Sequence, residues 1–533
     1  MKIINAAAMK EADRLTIEKY GLPGVVLMEK AGERAAGFIL ALKPPVSRVA
    51  VVAGPGNNGG DGLVIARLLE KAGLEVSLWS TVPAGGYQGD AKINENYLLK
   101  LPFPVERIVD NSALENFKNS LCRADLVVDA LLGIGADREV SGLLADIINA
   151  LNSCGKPVLA VDIPSGVHAD SGRVLGCAVK AQWTVTFACP KLGLFFPPGC
   201  NHAGKIFVGE IGVPEALVDS QPVELNTASR VRNALPARPF NSHKGSMGKV
   251  VIVAGSPGMT GAAILAAEAA QKSGAGLVYL AAPVSICPAL EAKTLEAVIV
   301  PLPEFEPGII DPSASDIIID RTRTCDALAV GPGLDPGEKS TELLDRLIQV
   351  SPVPVIIDAG GLHALGRRIN MLSLAKHTPI ITPHPGEMAA LIGVAAGDVQ
   401  NSRLAAAGEH AVLWNCIVLL KGANTIIALP DGRVLINPTG GPSLSTAGSG
   451  DLLTGTVVSM LAQGLNPADA AGSAAYIHGL AGDLLPPGRG HMARDILDCY
   501  KEVFRRLEGA SHRVPGNPFL TGTRPFLQNG GTI

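Results

Sequence analysis

The stretch RVAVVAGPGNNGGDG, residues 48–62, determines the predicted fold of the first half of the chain. An apolar, β-branched run over 48–54 passes into a loop with five glycines and two asparagines, and a helix-like stretch follows over 61–72. Similar apolar runs recur as DLVVDALLG (125–133), VLAVDIPSG (158–166) and WTVTFACPK (183–191). Continuous apolar strands that alternate with helices predict a parallel sheet that is covered on both faces.

A second series of strands begins after residue 242 and predicts another α/β domain. Its members are KVVIVAGS (249–256), GLVYLAAP (276–283), DALAVGPG (326–333), PVIIDAGG (354–361), PIITPHPGE (379–387) and CIVLLKGANTIIAL (416–429). Between the two series, residues 213–242 contain four prolines and no strong period. We therefore expect a first domain over 1–222, a linker over 223–235, a second domain over 236–509 and a flexible tail over 510–533.

The composition argues against several classes of protein. The 533 residues include 45 basic and 49 acidic side chains, and the net charge of −4 argues against nucleic-acid binding, which usually requires a basic excess. The uncharged stretches 250–267 and 452–468 are interrupted by glycine and proline, so neither predicts a membrane-spanning helix. The nine cysteines are scattered without a CxxC pair, which predicts reduced thiols and a cytoplasmic location.

The glycine-rich loop 54–62 is expected at the carboxyl end of the first strand, where ligands of parallel sheets gather. Its glycines let the backbone approach a ligand, and the helix that follows offers unpaired N–H groups to an anion. The loop matches neither the GxGxxG fingerprint nor a Walker loop. We predict a ligand-binding loop, and an ordinary tight turn is the alternative.

Two acidic residues, Asp129 and Asp162, each end a strand that is predicted to be buried, and Ser165 follows closely. A carboxylate at the end of an apolar strand is costly unless it binds a cation or takes part in chemistry. Helix capping is the alternative role for these residue types. The side-chain oxygens of Asn58, Asp129 and Ser165 would suit a hard cation.

In the second half, Gly448-Ser449-Gly450-Asp451 opens an apolar helix that runs to about residue 463. N–H groups at such a helix start can surround a developing phosphate charge, and Asp451 could take a proton from an attacking hydroxyl. A plain helix cap with an acidic first turn is the alternative. The segment 421–425 adds a cation and polar groups for a nucleotide phosphate, and His384 ends another strand at the same edge.

These motifs together resemble two enzyme families joined in one chain. The first half is similar to NAD(P)H-hydrate epimerases through GNNGGDG (56–62), VVDALLGIG (127–135) and VDIPSG (161–166). The second half resembles ADP- or ATP-dependent NAD(P)H-hydrate dehydratases through SHKGSMGKVVIVAGS (242–256), AVGPGL (329–334), ITPHPGEMA (381–389), LKGANT (420–425) and TAGSGDLLTG (446–455). The resemblance implies a Rossmann-like three-layer sandwich followed by a ribokinase-like domain.

The resemblance also implies a function in cofactor repair. Water adds to ring carbon six of NADH and NADPH and gives R and S hydrates that no longer donate hydride. The epimerase interconverts the two forms, and the dehydratase uses ADP or ATP, with Mg²⁺, to dehydrate the S form. We expect Asp162 to move the proton in epimerisation and Asp451 to take the hydroxyl proton in dehydration, while the Gly448–Gly450 amides steady the transferred phosphoryl group.

The resemblance assigns further site residues by position. In the first domain the hydrate would contact Asn57, Asn58, Gly59, Gly60, Asp61, Gly133, Ile134, Gly135, Ala136, Asp137, Arg138, Glu139 and Asp162, and a potassium ion would lie between Asn58, Asp129 and Ser165. In the second domain the hydrate would contact Ala262, Gly333, His384 and Asp451, and the nucleotide would contact Lys421, Gly422, Ala423, Asn424, Thr425 and Gly450.

Two other functions fit the same residues. The chain could be a ribokinase-like small-molecule kinase fused to a dinucleotide-binding domain, or a non-catalytic dinucleotide-binding scaffold. A kinase leaves a phosphorylated product, whereas a dehydratase releases free phosphate together with the reduced nicotinamide. The sequence leaves open whether ADP or ATP is the donor, and whether NADH hydrate or NADPH hydrate is preferred. The apolar content permits assembly, and we expect a homo-oligomer.

Overall fold

A computed structural model describes residues 1–239 and 241–509 of the chain. The backbone divides into two compact units, of which the first covers Met1–Gln221 and the second begins at Pro222. Both units contain a largely parallel sheet flanked by helices, which confirms the predicted α/β class. The segment predicted as a flexible tail, residues 510–533, lies outside the described residues.

The first unit is built on a seven-stranded parallel sheet. Its strands are β1 (Arg48–Ala53), β2 (Glu75–Ser80), β3 (Val105–Arg107), β4 (Leu126–Ala130), β5 (Val158–Val161), β6 (Trp183–Phe187) and β7 (Lys205–Gly209). They lie in the order β3-β2-β1-β4-β5-β6-β7, so the strands before β4 are added towards one edge of the sheet and those from β4 onwards towards the other. Such a switch point leaves a crevice at the carboxyl ends of the strands.

Helices cover both faces of this sheet. They are α1 (Ala6–Glu18), α2 (Gly24–Leu40), α3 (Asn57–Lys71), α4 (Gly89–Leu98), α5 (Asn111–Arg123), α6 (Gly142–Ser153) and α7 (Cys200–Ala203). Alternate residues of β1 belong to different hydrophobic clusters: Val49, Val51 and Ala53 to one, Ala50 and Val52 to the other. Because neighbouring side chains of a strand point to opposite faces, this division confirms a three-layer sandwich.

The second unit contains a ten-stranded sheet and a separate two-stranded ribbon. Its strands are β8 (Val223–Leu225), β9 (Lys249–Val253), β10 (Leu277–Pro283), β11 (Val298–Leu302), β12 (Glu304–Glu306), β13 (Ile309–Ile310), β14 (Ala327–Val330), β15 (Val355–Ile357), β16 (Ile380–Ile381), β17 (Ile417–Leu420), β18 (Ile426–Ala428) and β19 (Val434–Ile436). The large sheet has the order β11-β10-β9-β14-β15-β16-β17-β18-β19-β8. Only the β17–β18 and β18–β19 pairs of that sheet, as far as it is described, are antiparallel.

The helices of the second unit pack around this sheet. They are α8 (Ala228–Ala234), α9 (Thr260–Lys272), α10 (Cys287–Glu291), α11 (Ala314–Thr322), α12 (Glu338–Val350), α13 (Gly360–Leu365), α14 (Pro385–Ile392), α15 (Ala396–Asn401), α16 (Arg403–Leu413), α17 (Ser449–Ala462), α18 (Pro467–Asp483) and α19 (Ala493–Glu508). Helix α17 is buried along almost its whole length. A helix that is apolar all round lies in the centre of a domain. The packing around α17 therefore holds its first turn in place.

Two elements differ from the prediction. The segment 223–235, predicted as a linker, forms β8, which pairs with β19, and α8, whose Val231 is buried in the core of the second unit. The run 416–429, predicted as one strand, is a hairpin, because Gly422 and Asn424 adopt positive φ angles between β17 and β18. The strands in both segments are short and lie beside turn-forming residues, so the sequence pattern does not show them as separate strands.

Within 1–239 and 241–509, no helix is both long enough and apolar enough to cross a membrane.

Candidate functional site

A cavity of about 480 Å³ opens at the carboxyl ends of the strands in the first unit. Its walls come from α1 and α2, from the turns that follow β1, β4 and β5, and from residues after β6 and β7. The residues predicted to contact a ligand that line this cavity are Asn57, Asn58, Asp61, Gly133, Ile134, Gly135, Ala136 and Asp162. The strand order therefore brings separate sequence motifs to one place, as the switch-point rule predicts.

Not every predicted residue lies in this cavity. Gly59 and Gly60 are buried in the first turn of α3, and a Cβ on Gly59 would lie 1.8 Å from the carbonyl oxygen of Gly54. Gly59 is therefore required by the close approach of two backbone segments. Asp137 and Arg138 form an exposed ion pair and, together with Glu139, are absent from the lining of the cavity.

Asn58, Asp129 and Ser165 are linked by hydrogen bonds, because Asn58 and Ser165 both reach the carbonyl oxygen of Leu132 and Ser165 also reaches Asp129. The hydroxyl of Ser165 donates to Asp129 Oδ1 at 2.6 Å, and its backbone N–H donates to Asp129 Oδ2 at 2.9 Å. Asn58 Nδ2 donates to the carbonyl oxygen of Leu132 at 3.0 Å, and its Oδ1 is buried without a hydrogen-bond partner. Burial raises the pKa of Asp129 to about 6, partly offset by the bonds from Ser165. The three predicted cation ligands are thus brought together.

Asp162 lies directly after β5 and carries a strained backbone. Its φ of 66° is in the left-handed region, which costs about 1–3 kcal/mol for a residue other than glycine and is often retained at functional sites. Its Oδ1 accepts hydrogen bonds from Lys191 Nζ at 2.5 Å, Thr186 Oγ1 at 3.0 Å and the N–H of Phe187 at 3.3 Å. Lys191 is only 1% exposed. The predicted acid–base residue is therefore an ion-paired acceptor.

Two further carboxyl groups line the same cavity, Asp13 on α1 and Asp61 on α3. Burial raises the pKa of Asp13 to about 6, while the charge of Lys191 lowers it and that of Asp162 raises it. Burial, together with the charges of Asp162 and Asp13, raises the pKa of Asp61 well above its usual value. Asp13, Asp61 and Asp162 thus form a group of acidic side chains around the buried Lys191, a combination that suits proton transfer.

In the second unit, the predicted motif 448–451 forms the start of α17. Gly448 adopts a φ of 87° before the helix, and Asp451 lies in its first turn. Burial raises the pKa of Asp451 to about 7, with a further increase from Asp358 and a decrease from Lys421. A carboxyl group with this pKa can accept a proton near neutral pH. The N–H groups of the same turn point out of the helix end, where they favour an anion.

Lys421 lies next to this turn and is held between two acidic side chains. Its Nζ donates to Asp358 Oδ1 at 2.9 Å and lies 3.6 Å from Glu387 Oε2. A Cβ on Gly450 would lie 3.5 Å from the same Nζ. Burial by itself would lower the pKa of Lys421, but the charges of Asp358 and Glu387 raise it above its usual value. The side chain is therefore a fixed positive charge beside the N-terminus of α17.

The other predicted residues of the second unit lie in three different settings: two lie side by side, one caps a helix and four form a turn. Gly333 lies beside Ala262, because a Cβ on it would be 3.2 Å from the Cβ of Ala262. His384 caps α14: its Nδ1 accepts hydrogen bonds from the N–H groups of Gly386 at 3.0 Å and Glu387 at 3.2 Å. The remaining predicted nucleotide contacts, Gly422, Ala423, Asn424 and Thr425, form the turn between β17 and β18. His384 thus has a structural role, and its contact with the hydrate stays a prediction.

A buried hydrogen-bonded chain supports the start of α17. The hydroxyl of Ser449 lies 3.0 Å from His478 Nε2, His478 Nδ1 lies 3.2 Å from the hydroxyl of Tyr500, and that hydroxyl lies 2.8 Å from Thr456 Oγ1. Burial lowers the pKa of His478 to about 4, and the charge of Lys421 lowers it further. A neutral imidazole that bonds on both sides fixes the turn that carries Asp451.

The sequence analysis did not identify several of these polar residues, namely Asp13, Lys191, Asp358, Glu387 and His478. One signal was available for Asp13. It follows Met9 by four residues and precedes Thr16 by three, and both of these are buried, so an acidic side chain lies at the margin of the buried face of α1. Spacings of three and four place residues on one side of a helix. Asp358 also carried a signal, because it directly follows the apolar run 355–357, whereas Lys191 and His478 bond residues 29 positions away in the chain.

Comparison with known proteins gives a consistent result for both units. Residues 24–193 match the family model described as the YjeF-related protein N-terminus, and residues 250–502 match the model described as NAD(P)H-hydrate dehydratase. A solved ADP/ATP-dependent NAD(P)H-hydrate dehydratase from Bacillus subtilis, co-crystallised with ATP and Mg²⁺, is 31% identical, with a TM-score of 0.45, and covers 54% of this chain and 100% of its own.

Curated relatives match almost the full length of the chain. A bifunctional NAD(P)H-hydrate repair enzyme from Moorella thermoacetica is 43% identical over 95% of this chain and 97% of its own. One from Thermofilum pendens is 39% identical over 92% of this chain and 93% of its own. The chain therefore belongs to the family of bifunctional NAD(P)H-hydrate repair enzymes.

Proposed function

We propose that this protein repairs hydrated NADH and NADPH with two activities. The first unit interconverts the R and S hydrates, and the second dehydrates the S hydrate at the expense of ADP, giving AMP and phosphate, or of ATP. One observation carries the proposal: each unit presents an acidic side chain, Asp162 or Asp451, at the ligand-binding end of a parallel sheet. Family membership supports the same two activities.

Epimerisation fits the cavity of the first unit. The hydroxyl-bearing carbon of the hydrate is next to a ring nitrogen, whose lone pair can assist the breaking of the C–O bond. Asp162 is a proton acceptor for this chemistry, because its three hydrogen bonds all reach Oδ1 and leave Oδ2 for a ligand. Asn57, Asn58 and the turn 133–136 would surround the nicotinamide end of the substrate.

Dehydration fits the start of α17. Hydroxide is a poor leaving group, and transfer of a phosphoryl group to its oxygen converts it into phosphate. Asp451 would take the hydroxyl proton while the N–H groups at 448–450 stabilise the transferred group. The lone pair of the ring nitrogen then expels phosphate, and loss of a proton from ring carbon five to water forms the C5=C6 double bond of the reduced nicotinamide. Lys421, held by the carboxylates of Asp358 and Glu387, would fix the nucleotide phosphates, which Mg²⁺ would accompany.

We also propose potassium as the ion between Asn58, Asp129 and Ser165. All the donors are oxygen atoms, which suits a hard cation, and the buried Oδ1 of Asn58 is without a hydrogen-bond partner. No group of three or more His, Cys, Asp or Glu that could hold a metal ion occurs among the described residues, so a transition-metal centre has no comparable ligand set there. The ion would supply positive charge near the cavity, while the protein groups hold the substrate.

The potassium proposal predicts an effect on stability. Replacing sodium by potassium is expected to raise the unfolding temperature of the first unit, because an ion that binds only the folded state stabilises it. Asn58→Ala is expected to remove this difference, whereas Asn57→Ala, in the neighbouring position, is expected to keep it. Differential scanning calorimetry in both salts measures the effect, and an unfolding temperature that is identical in the two salts would contradict the proposal.

The proposed function is tested with purified protein and a mixture of both hydrates. With ADP or ATP present, the nicotinamide absorbance is expected to return for both epimers, together with one free phosphate per molecule repaired. The better of the two nucleotides identifies the donor. Release of a phosphorylated substrate would indicate a small-molecule kinase, and no turnover of either hydrate would indicate a binding scaffold. The homo-oligomer and the cytoplasmic location stay predictions.

A further inference from the structure

Asp13 is an acidic side chain of the first unit to which no role has yet been assigned. It lies on α1, between the buried residues Met9 and Thr16, and forms part of the wall of the 480 Å³ cavity. Its Oδ1 is buried and has no hydrogen-bond partner among the described residues. An unpaired buried carboxyl oxygen is costly to the fold, which suggests that a ligand supplies the missing partner.

The charged groups around Asp13 come from several elements. The charges of Lys191, after β6, and Asp162, after β5, act on Asp13, and the charge of Asp13 acts in turn on Asp61 of α3. Lys10 and Asp90 also line the cavity. Burial is the largest influence and raises the pKa of Asp13 to about 6. Asp162 instead receives three hydrogen bonds, one from the ammonium group of Lys191. The two carboxyl groups thus differ in their surroundings: Asp162 Oδ1 accepts three hydrogen bonds, whereas Asp13 Oδ1 has no partner among the described residues.

Inversion at the hydrated carbon places two demands on the cavity. The hydroxyl must leave from one face of the ring as water, which requires a proton donor. Water must then add to the opposite face, which requires a proton acceptor. A single carboxyl group fixed on one side of the ring serves only one of these faces, so inversion by this route needs a second acid–base group.

We propose that Asp13 is this second acid–base group, a catalytic residue that acts opposite Asp162 in the epimerisation; the inference rests on the proposed function of the first unit. In the R-to-S direction, protonated Asp13 donates to the hydroxyl on carbon six. The C–O bond breaks with its electron pair going to oxygen, water departs, and the nitrogen lone pair forms a C=N double bond.

The second half of the reaction restores the neutral hydrate. Water adds to carbon six from the other face, the C=N electron pair returns to nitrogen, and Asp162 accepts the proton that the entering water loses. Asp13 ends as a carboxylate and Asp162 as a carboxylic acid. Exchange of one proton with water in the cavity resets the pair, so the step needs neither an oxidant nor a nucleotide.

Asp61 is the competing candidate for this role. It also lines the cavity, and burial and the charges of Asp162 and Asp13 raise its pKa well above its usual value. Asp13 Oδ1 is a buried oxygen without a hydrogen-bond partner, whereas Asp61 has no such oxygen among the described residues, so the geometry favours Asp13 as the group that a ligand contacts. Its position near the start of α3 suits a hydrogen-bond donor to the substrate.

The test compares Asp13→Asn with wild type in an exchange assay of the purified R hydrate. The variant is expected to slow R-to-S exchange about 100-fold or more, chiefly in kcat, while ADP-dependent dehydration of the S hydrate is unchanged. Asp13→Glu is expected to recover part of the rate. The matched control is Glu11→Gln, an exposed acidic residue of the same helix, which is expected to keep the wild-type rate.

A pH profile separates a catalytic from a structural role. The wild-type rate of R-to-S exchange is expected to fall as the pH rises above about 6, because Asp13 must be protonated to donate, and Asp13→Asn is expected to lose this dependence. A slow variant that keeps the wild-type profile would show that Asp13 acts through packing, which would overturn the inference. An Asp13→Asn protein with the wild-type rate, or loss of the profile in Asp61→Asn alone, would also overturn it.

The same assay distinguishes failure of the inference from failure of the proposed function. A wild-type protein that leaves the R hydrate unchanged lacks the epimerase activity, and the inference on Asp13 falls with it. A wild-type protein that exchanges the hydrates while Asp13→Asn does so equally well keeps the proposed function and rejects Asp13.

Discussion

At the scale of single residues, the surroundings of Asp451 make a direct prediction. Asp451→Asn removes the proton acceptor at the start of α17 and is expected to lower the rate of dehydration by about 10²–10⁴-fold. The wild-type rate is expected to rise as the pH increases through about 7, because only the ionised carboxylate accepts a proton and burial raises its pKa to that value. Nucleotide-dependent release of NADH from the S hydrate, measured over this pH range, checks both effects.

A second variant serves as the control for Asp451. Asp469→Asn changes an acidic residue in the first turn of α18, where its partners are Arg230 and Asn466. It is expected to keep the wild-type rate and pH profile. Normal turnover by the Asp451→Asn protein, or a pH profile that this substitution does not change, would contradict the role of Asp451 as the base.

Single residues also show which parts of the sites the sequence could predict. Asp162 and Asp451 are recognisable because each is an acidic residue directly after an apolar strand or at a glycine-rich helix start. Asp358 directly follows β15 and carries the same signal, whereas Lys191 is not recognisable, because its partner Asp162 is 29 residues away in the chain. Such pairs are fixed by the order of strands in the sheet, which local patterns do not contain.

At the scale of elements, the contact between α3 and the turn after β1 depends on Gly59. Gly59→Ala is expected to lower the free energy of unfolding of the first unit by about 3 kcal/mol, because the new methyl group would lie 1.8 Å from the carbonyl oxygen of Gly54. The clash is with backbone, so side-chain rearrangement does not relieve it. Urea unfolding, followed by circular dichroism, measures the change.

The control for Gly59 is another helical glycine, Gly37 on α2. It is exposed, and a Cβ there would meet no atom within 4 Å. Gly37→Ala is expected to raise the free energy of unfolding by about 1 kcal/mol, as alanine stabilises an exposed helix interior. If the two alanine variants unfolded at the same urea concentration, close packing would not be the reason for glycine at position 59.

Elements with a strong period were predicted well, and short ones were not. The strands of both sheets appear as apolar runs because parallel strands are buried on both faces. Strand β8 has three residues within a proline-rich segment, and the turn 421–425 divides a run that looks continuous. Pairing of β8 with β19, more than 200 positions later, gives the short strand its stability, and the sequence around residue 223 carries no sign of it.

At the scale of the whole molecule, the residues proposed for each activity all lie within one unit, so the two activities should be separable by mutation. An Asp162→Asn protein is expected to dehydrate only the S hydrate, and an Asp451→Asn protein only to exchange the epimers. Mixing the two variants is expected to restore repair of both epimers, which the return of nicotinamide absorbance measures. If the two mixed variants left half of an equal mixture of the two epimers unrepaired, the two activities would not be independent.

The pairing of β8 with β19 determines where the polypeptide can be cut to obtain either activity alone. A shortened protein that starts at residue 236 would lose this outer strand and leave the backbone N–H and C=O groups of β19 uncovered, and an uncovered strand invites aggregation. A shortened protein that starts at Pro222 keeps the strand and should remain monodisperse at concentrations where the shorter one precipitates.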